Sequence, residues 1–252
     1  MIVVANLLSP ALDDLTIAIR DSLGARLEGE VVSIEAGVED FRRGRVGVAL
    51  VCGLAYTLLH DIAPDRFVPV AAPIVDDARV VDGPVYFSEI VVPAGHPAAT
   101  LQELRAASFA YNEDVSFSGY RALEHELKAA GLSWDFFRQR IRTGSHRRSL
   151  AMVADGEADA TAIDSHALLL EKRLDPSLAE RTKVIASLGP YPAPPVAIDR
   201  TTCDLPEDRL REVLHQLSAD GLAKAAIRSW QAVDDSYYDP VRAVTAGMRL
   251  EL

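Results

Sequence analysis

The stretch Ala110-Tyr111-Asn112-Glu113-Asp114-Val115-Ser116-Phe117-Ser118-Gly119-Tyr120 gathers hydroxyls and a glycine just where a helical pattern begins. It follows a short apolar run and leads into Leu123 and Leu127, which share one helical face. The first N–H groups of a helix lack internal acceptors, and the aligned peptide dipoles leave partial positive charge there. Ser116 and Ser118 add hydroxyl donors at that point, and Gly119 lets a ligand come close to the backbone. Such a helix start can receive an oxyanion. The same residues also make an ordinary N-cap, a position serine favours in any helix.

Three further groups bear on that chemistry. Arg138, Arg140, Arg142, Arg147 and Arg148 crowd around Thr143-Gly144-Ser145-His146. As a solvated helix face they raise the local potential for an anion without binding it. Ser145 reads as the cap of a helix from Arg147 to Ala154. Asp164-Ser165 ends the apolar strand Ala158–Ile163, where the acid reads as a helix cap or as a carboxylate facing a ligand. Tyr56 follows a glycine break at Gly53 and reads either as a core aromatic or as a residue at a strand's ligand-facing end.

The elements that must position these residues alternate. Ile2–Leu7, Val31–Ile34 and Val46–Cys52 read as buried strands. Ser9-Pro10 opens a helix carrying Leu12, Leu15, Ile19 and Leu23, closed by Gly24. Val38–Arg43 reads as a short helix, and Leu54–Leu59 starts another. Val68–Ile74 and Val85–Val92 are further strands, joined through Asp76-Asp77 and Asp82-Gly83-Pro84. Ser108–Tyr111 is a strand before the serine segment, and Ser133-Trp134-Asp135-Phe136-Phe137 opens a helix with core aromatics. Helices are expected after Leu205-Pro206 and over Ala223–Trp230, with Asp234–Pro240 as a surface turn. The alternation points to βαβ units and mainly parallel sheets, whose ligands sit beyond the carboxyl ends of strands.

Composition narrows the partners. The chain has 252 residues and a net charge of −11, which argues against nucleic acid and anionic membranes, both of which need a basic surface. Val46–Leu59 is shorter than the ~18–20 residues of a membrane span. Cys52 and Cys203 lack metal-ligand spacing and read as buried thiols, with a single disulfide as the alternative. No cofactor or metal motif is evident. No basic n-region precedes Arg20, so the expectation is either a cytoplasmic chain or an exported one whose leader is absent.

Taken in order, Asn112…Ser116-Phe117-Ser118-Gly119-Tyr120, Thr143-Gly144-Ser145-His146, Val153-Ala154-Asp155-Gly156-Glu157-Ala158-Asp159-Ala160 and Ile163-Asp164-Ser165 resemble a known set. They are similar to the phosphonate/phosphate/phosphite substrate-binding proteins of ABC importers, the PhnD-like family. The resemblance implies the α/β type 2 periplasmic-binding-protein fold, with two lobes, each a mainly parallel sheet flanked by helices, and a ligand cleft between them. Lobe 1 is then 1–87 with 196–252, and lobe 2 is 88–195. Ser116 and Ser118 would hold the oxyanion together with the helix start through Phe117, Gly119 and Tyr120. Ser145 and His146 would complete it, with His146 as a donor. Tyr56 would close over the ligand, and Asp164 would face a positive or hydroxyl group on it. Phe117 stands where the family usually has a small hydroxyl residue, and Asn6, Leu7 and Leu8 stand where it often has an aromatic. Both imply a more apolar or differently shaped pocket. The implied partners are a small anionic ligand and an ABC permease and ATPase, outside the cytoplasm. Two other readings stay open: an enzyme on this scaffold using His146 and Asp164 on a carboxylate or phosphorylated substrate, and a ligand sensor.

Overall fold

The computed structural model describes residues 3–24, 26–27 and 34–248, with the side chains of residues 26, 27, 34 and 35 excepted. Its strands are β1 (Val3–Leu7), β2 (Arg26–Leu27), β3 (Val48–Val51), β4 (Phe67–Val75), β5 (Val85–Pro93), β6 (Ser108–Tyr111), β7 (Gln139–Arg142), β8 (Ala160–Asp164), β9 (Thr182–Pro192), β10 (Val196–Asp199) and β11 (Ile227–Ala232). The chain divides into two compact units. One runs up to Val85 and resumes over Tyr191–Ala243; the other is Tyr86–Pro190 with Val244–Met248.

The first unit holds a six-stranded sheet in the order β11-β4-β10-β3-β1-β2. Ser9 and Pro10 start a 3-10 turn that passes into the helix Asp13–Leu23. Asp13 and Asp14 sit in that helix's first turn, where the dipole favours acids. Leu15 and Ile19 are buried, and Gly24 ends the helix at φ 60°, a left-handed conformation that suits glycine. β1 lies parallel to β3 with Val4 beside Val48. β10 runs antiparallel to both β3 and β4, and β11 antiparallel to β4. β1, β2, β3 and β4 thus run one way and β10 and β11 the other, because β10 enters from the returning chain and not through a helical crossover.

The second unit holds a five-stranded sheet in the order β7-β6-β8-β5-β9. β6 is parallel to β7 and β8, whereas β5 is antiparallel to β8. This sheet too has strands running both ways. Strand alternation sends side chains to opposite faces. On β6, Phe109 and Tyr111 join one core with Leu123, Trp134 and Phe137, while Ala110 joins the other with Leu150, Val153 and Ile163. Both faces are covered, which explains why these strands read as unbroken apolar runs.

Several expectations shift. Ile2 and Val31–Ser33 lie outside the described residues, and Ile34 opens the helix Ile34–Arg42. The segment after Ser133 makes only a 3-10 turn, Trp134–Phe136, and then β7, not a helix. The aromatics at 134, 136 and 137 all pack into one core, which a continuing helix would have spread over different faces. Ala223–Trp230 splits into the end of the helix Ala219–Lys224 and the start of β11, parted at Ala226 with φ 52°. The Asp234–Pro240 turn is not simply surface, since Tyr238 is fully buried within it. Cys52 and Cys203 are both buried thiols and do not form a disulfide.

Candidate oxyanion site

The serine segment leaves β6 and enters a π-helical turn, Phe117–Arg121, that runs on into the helix Ala122–Ala129. π-turns inside helices concentrate at functional sites. Ser116 caps it: its Oγ accepts from Gly119 N at 3.0 Å. That bond uses a lone pair and leaves the Ser116 hydroxyl hydrogen available. Ser118 N–H, at the second helical position, has no intrahelical acceptor by its place in the turn.

Two other strands fix this turn. Ser88 on β5 is fully buried and donates to Ser118 O at 2.6 Å. Ser88 stands opposite Asp164 in the β5–β8 pair, so Asp164 occupies the same neighbourhood. Asn112 follows β6 directly, and its Oδ1 lies 1.9 Å from where a Cβ on Gly119 would be. Only glycine fits at 119 beside that amide.

The loop after β7 brings the histidine. Thr143 N bonds Tyr111 O at 2.8 Å and Gly144 N bonds Asn112 O at 2.9 Å, carrying β7's partnership with β6 one turn further. Ser145 then caps the helix His146–Ala154, accepting from Arg148 N at 3.2 Å. His146 Nε2 comes to 3.4 Å from Ser118 Oγ. Its Nδ1 is buried and has no hydrogen-bond partner among the described residues. Burial pushes the imidazole down to about 4, so it is neutral at pH 7.

Asp164 behaves mainly as a cap. Its Oδ1 accepts from His166 N at 2.7 Å and Ala167 N at 3.2 Å at the head of the helix Ser165–Leu174. Burial nevertheless raises its carboxyl to about 7, against the pull of the Ala167 and His166 N–H groups, and nearby Glu89 adds to the rise. Near neutrality the group is poised between acid and carboxylate.

The sequence-derived residues thus fall into separate places. Ser116, Ser118, Gly119 and His146 come together, with Ser145 as the cap that presents His146. Phe117, between the two serines, is fully buried. Tyr120 is a core residue, stacked on Trp134 at 4.3 Å with its hydroxyl accepting from Arg140 at 3.2 Å. Tyr56 lies in the first unit, fully buried, its hydroxyl donating to Asp235 at 2.8 Å. Burial and that bond raise the phenol well above its ordinary range. The core-aromatic reading describes Tyr56 as it stands, with its hydroxyl already committed.

Four of the five arginines have partners: Arg147 meets Glu171 at 2.9 Å, Arg142 lies 3.7 Å from Asp114, Arg138 lies 3.9 Å from Asp159 and Arg140 donates to Tyr120. Sequence reasoning gave Ser88 no place in the site and quoted Asn112 only as part of the motif, without a role. A serine inside the apolar strand Val85–Val92 was the only signal for the first; for the second, the amide at the end of β6 was visible but its contact with Gly119 was not.

Residues 6–238 match the family model described as ABC transporter, phosphonate, periplasmic substrate-binding protein. The chain belongs to that family. It is accordingly a substrate-binding protein of the phosphonate ABC-transporter class, a class that works in the periplasm with a small ligand and a membrane transporter. A search of curated proteins finds no match to its sequence. Solved structures show the same fold. A binding protein component of an ABC phosphonate transporter from Pseudomonas aeruginosa is similar at TM-score 0.81 and 18% identity, covering 96% of this chain and 84% of that one. PhnD1 from Prochlorococcus marinus, in complex with methylphosphonate, is similar at 0.79 and 15%, covering 97% and 96%. A Xanthomonas citri protein bound to ATP follows at 0.67 and 19%, covering 98% and 96%. The type 2 periplasmic-binding-protein fold is therefore the fold of this chain. Among the described residues no helix is long and apolar enough to cross a membrane.

Proposed function

We propose that this chain captures a phosphonate-type oxyanion at the head of the 117–129 helix and delivers it to an ABC permease outside the cytoplasm. The observation that carries the reading is the approach of His146 Nε2 to Ser118 Oγ at the start of a helix. An anion oxygen placed there would meet the Ser118 hydroxyl and N–H, the Ser116 hydroxyl, and an imidazole N–H. Each charge-assisted bond contributes roughly 1.5–3 kcal/mol net. The helix start adds about 0.3–2 kcal/mol with burial. Three or four such contacts support micromolar binding without a lysine. Family membership and the methylphosphonate held by PhnD1 favour a phosphonyl group over a carboxylate.

Capture is favoured over catalysis by the same pair. A serine nucleophile needs a base that is itself oriented by a third group. No carboxylate meets His146 Nδ1 among the described residues, and burial makes the imidazole a weak base. Asp164, the nearby acid, is engaged as a helix cap.

Isothermal titration with methylphosphonate, phosphite, phosphate and sulfate tests the proposal. Micromolar binding of at least one phosphorus oxyanion, lost in Ser118→Ala, is the expected result. No heat from any of the four, with the protein folded, would overturn it.

A further inference from the structure

The buried polar side-chain atoms without a hydrogen-bond partner among the described residues are Asn112 Nδ2 and Oδ1, His146 Nδ1, and the indole nitrogens of Trp134 and Trp230. Three of these five belong to the two residues that frame the Ser116–Gly119 turn. Leaving a buried donor or acceptor unsatisfied is costly, so such a cluster calls for an explanation. The two residues are tied through the backbone, since Asn112 O accepts from Gly144 N at 2.9 Å, two residues before His146. They are tied again through the turn, since Asn112 Oδ1 packs on Gly119 and His146 Nε2 approaches Ser118.

Chemistry pairs them. Indole nitrogens only donate. Outside Asn112 itself, His146 Nδ1 is the one atom in that set able to accept a hydrogen. Asn112 Oδ1 faces the Gly119 Cα, a weak C–H donor, which leaves the Nδ2 hydrogens for a different acceptor. We propose that Asn112 sets the tautomer of His146 by delivering a hydrogen bond to Nδ1 through one buried water. The tautomer decides how many hydrogens the site can offer. With the proton on Nε2, His146 donates to Ser118 Oγ or to an anion, and the Ser118 hydroxyl hydrogen is free for the anion. With the proton on Nδ1, Nε2 is a lone pair that takes the Ser118 hydrogen and repels an anion. A neutral imidazole has only these two states. Asn112 is thus a positioning residue for the oxyanion site, and its effect on affinity rests on the capture reading given above.

The test reads the tautomer directly. The full chain is labelled with ¹⁵N-histidine and its imidazole nitrogens are observed by NMR at pH 7, the His146 signals being assigned by their loss in His146→Gln. The expected result is a proton on Nε2 and a hydrogen-bonded, unprotonated Nδ1 in the native protein. In Asn112→Leu, and in Asn112→Ala should the leucine variant fail to fold, the proton distributes over both nitrogens and methylphosphonate affinity falls about tenfold. A native Nδ1–H tautomer, or an unchanged tautomer in a folded Asn112 variant, overturns the inference. Because the tautomer is read without ligand, failure of all four oxyanions to bind the native protein would sink the capture reading and leave this measurement standing.

Discussion

Asn112 and Gly119 fit each other by exclusion: a single carbon added to Gly119 would meet Asn112 Oδ1 at 1.9 Å and Ser116 Oγ at 3.0 Å. The glycine's role is steric, since an added methyl must displace the buried Asn112 amide. Gly119→Ala should therefore destabilise by about 1–3 kcal/mol, the range for overpacking a filled site. Urea unfolding followed by circular dichroism checks it. An alanine variant as stable as the native chain would show that the Asn112 side chain can swing away.

Ser118→Ala removes a hydroxyl whose side-chain partner is His146 at 3.4 Å, while the Ser118 carbonyl keeps its bond from Ser88. Stability should change little. Affinity for a phosphorus oxyanion should fall by about 1.5–3 kcal/mol, the value of one hydrogen bond to a charged group. Arg148→Ala should change it by less than any such amount, because surface charge at a distance is screened. Calorimetry ranks the two, and the reverse order would move the anchor to the arginines.

Tyr56→Phe separates a structural from a ligand-facing tyrosine. Burial alone would raise the Asp235 carboxyl, but hydrogen bonds from Arg242 and Tyr56 outweigh it and hold the group below the usual range. Losing the phenol should cost about 1–2 kcal/mol of folding stability, with Arg242 still pairing Asp235 at 2.7 Å. Anion affinity should stay within twofold. A much larger loss of affinity at unchanged stability would return Tyr56 to the ligand.

Asp164 and His146 pull stability in opposite directions with pH. Asp164 titrates at about 7 rather than 3.8, so its contribution is complete below pH ~4 and is lost as pH rises toward 7. His146 titrates at about 4 rather than 6.5, so its contribution is present above pH ~6.5 and is lost as pH falls toward 4. Urea midpoints across this window should show the first trend vanish in Asp164→Asn, which keeps the cap, and the second in His146→Gln. Unaltered profiles in both variants would mean that neither group is shifted by its surroundings.

What could be read from residues alone follows from how local the cause was. Ser9-Pro10, Gly24 and Ser145 announce helix ends through their own backbone preferences, and the helices begin and stop there. β6 and β8 were legible because both of their faces are buried. β7 was not, since Gln139–Arg142 is polar and its strand conformation comes from pairing with β6. Ser116, Ser118 and His146 were legible as motif residues, and the structure gathers them. Tyr120 sits in the same motif yet turns inward, because a helical turn must send some of its side chains to the core. Ser88 is 30 residues from Ser118 in sequence, and no local pattern announces a contact that only the sheet creates.

β7 lies at the margin of its sheet, with Gln139, Arg140 and Arg142 exposed along it. An unpaired strand margin is a template on which a second chain can add, and fixed cations on it raise the cost of bringing two such margins together. The same arginines that raise the potential for an anion therefore also raise the electrostatic cost of pairing two such margins. Trading Arg138, Arg140 and Arg142 for threonine would remove that repulsion and leave a β-prone seam on which copies of the chain could stack.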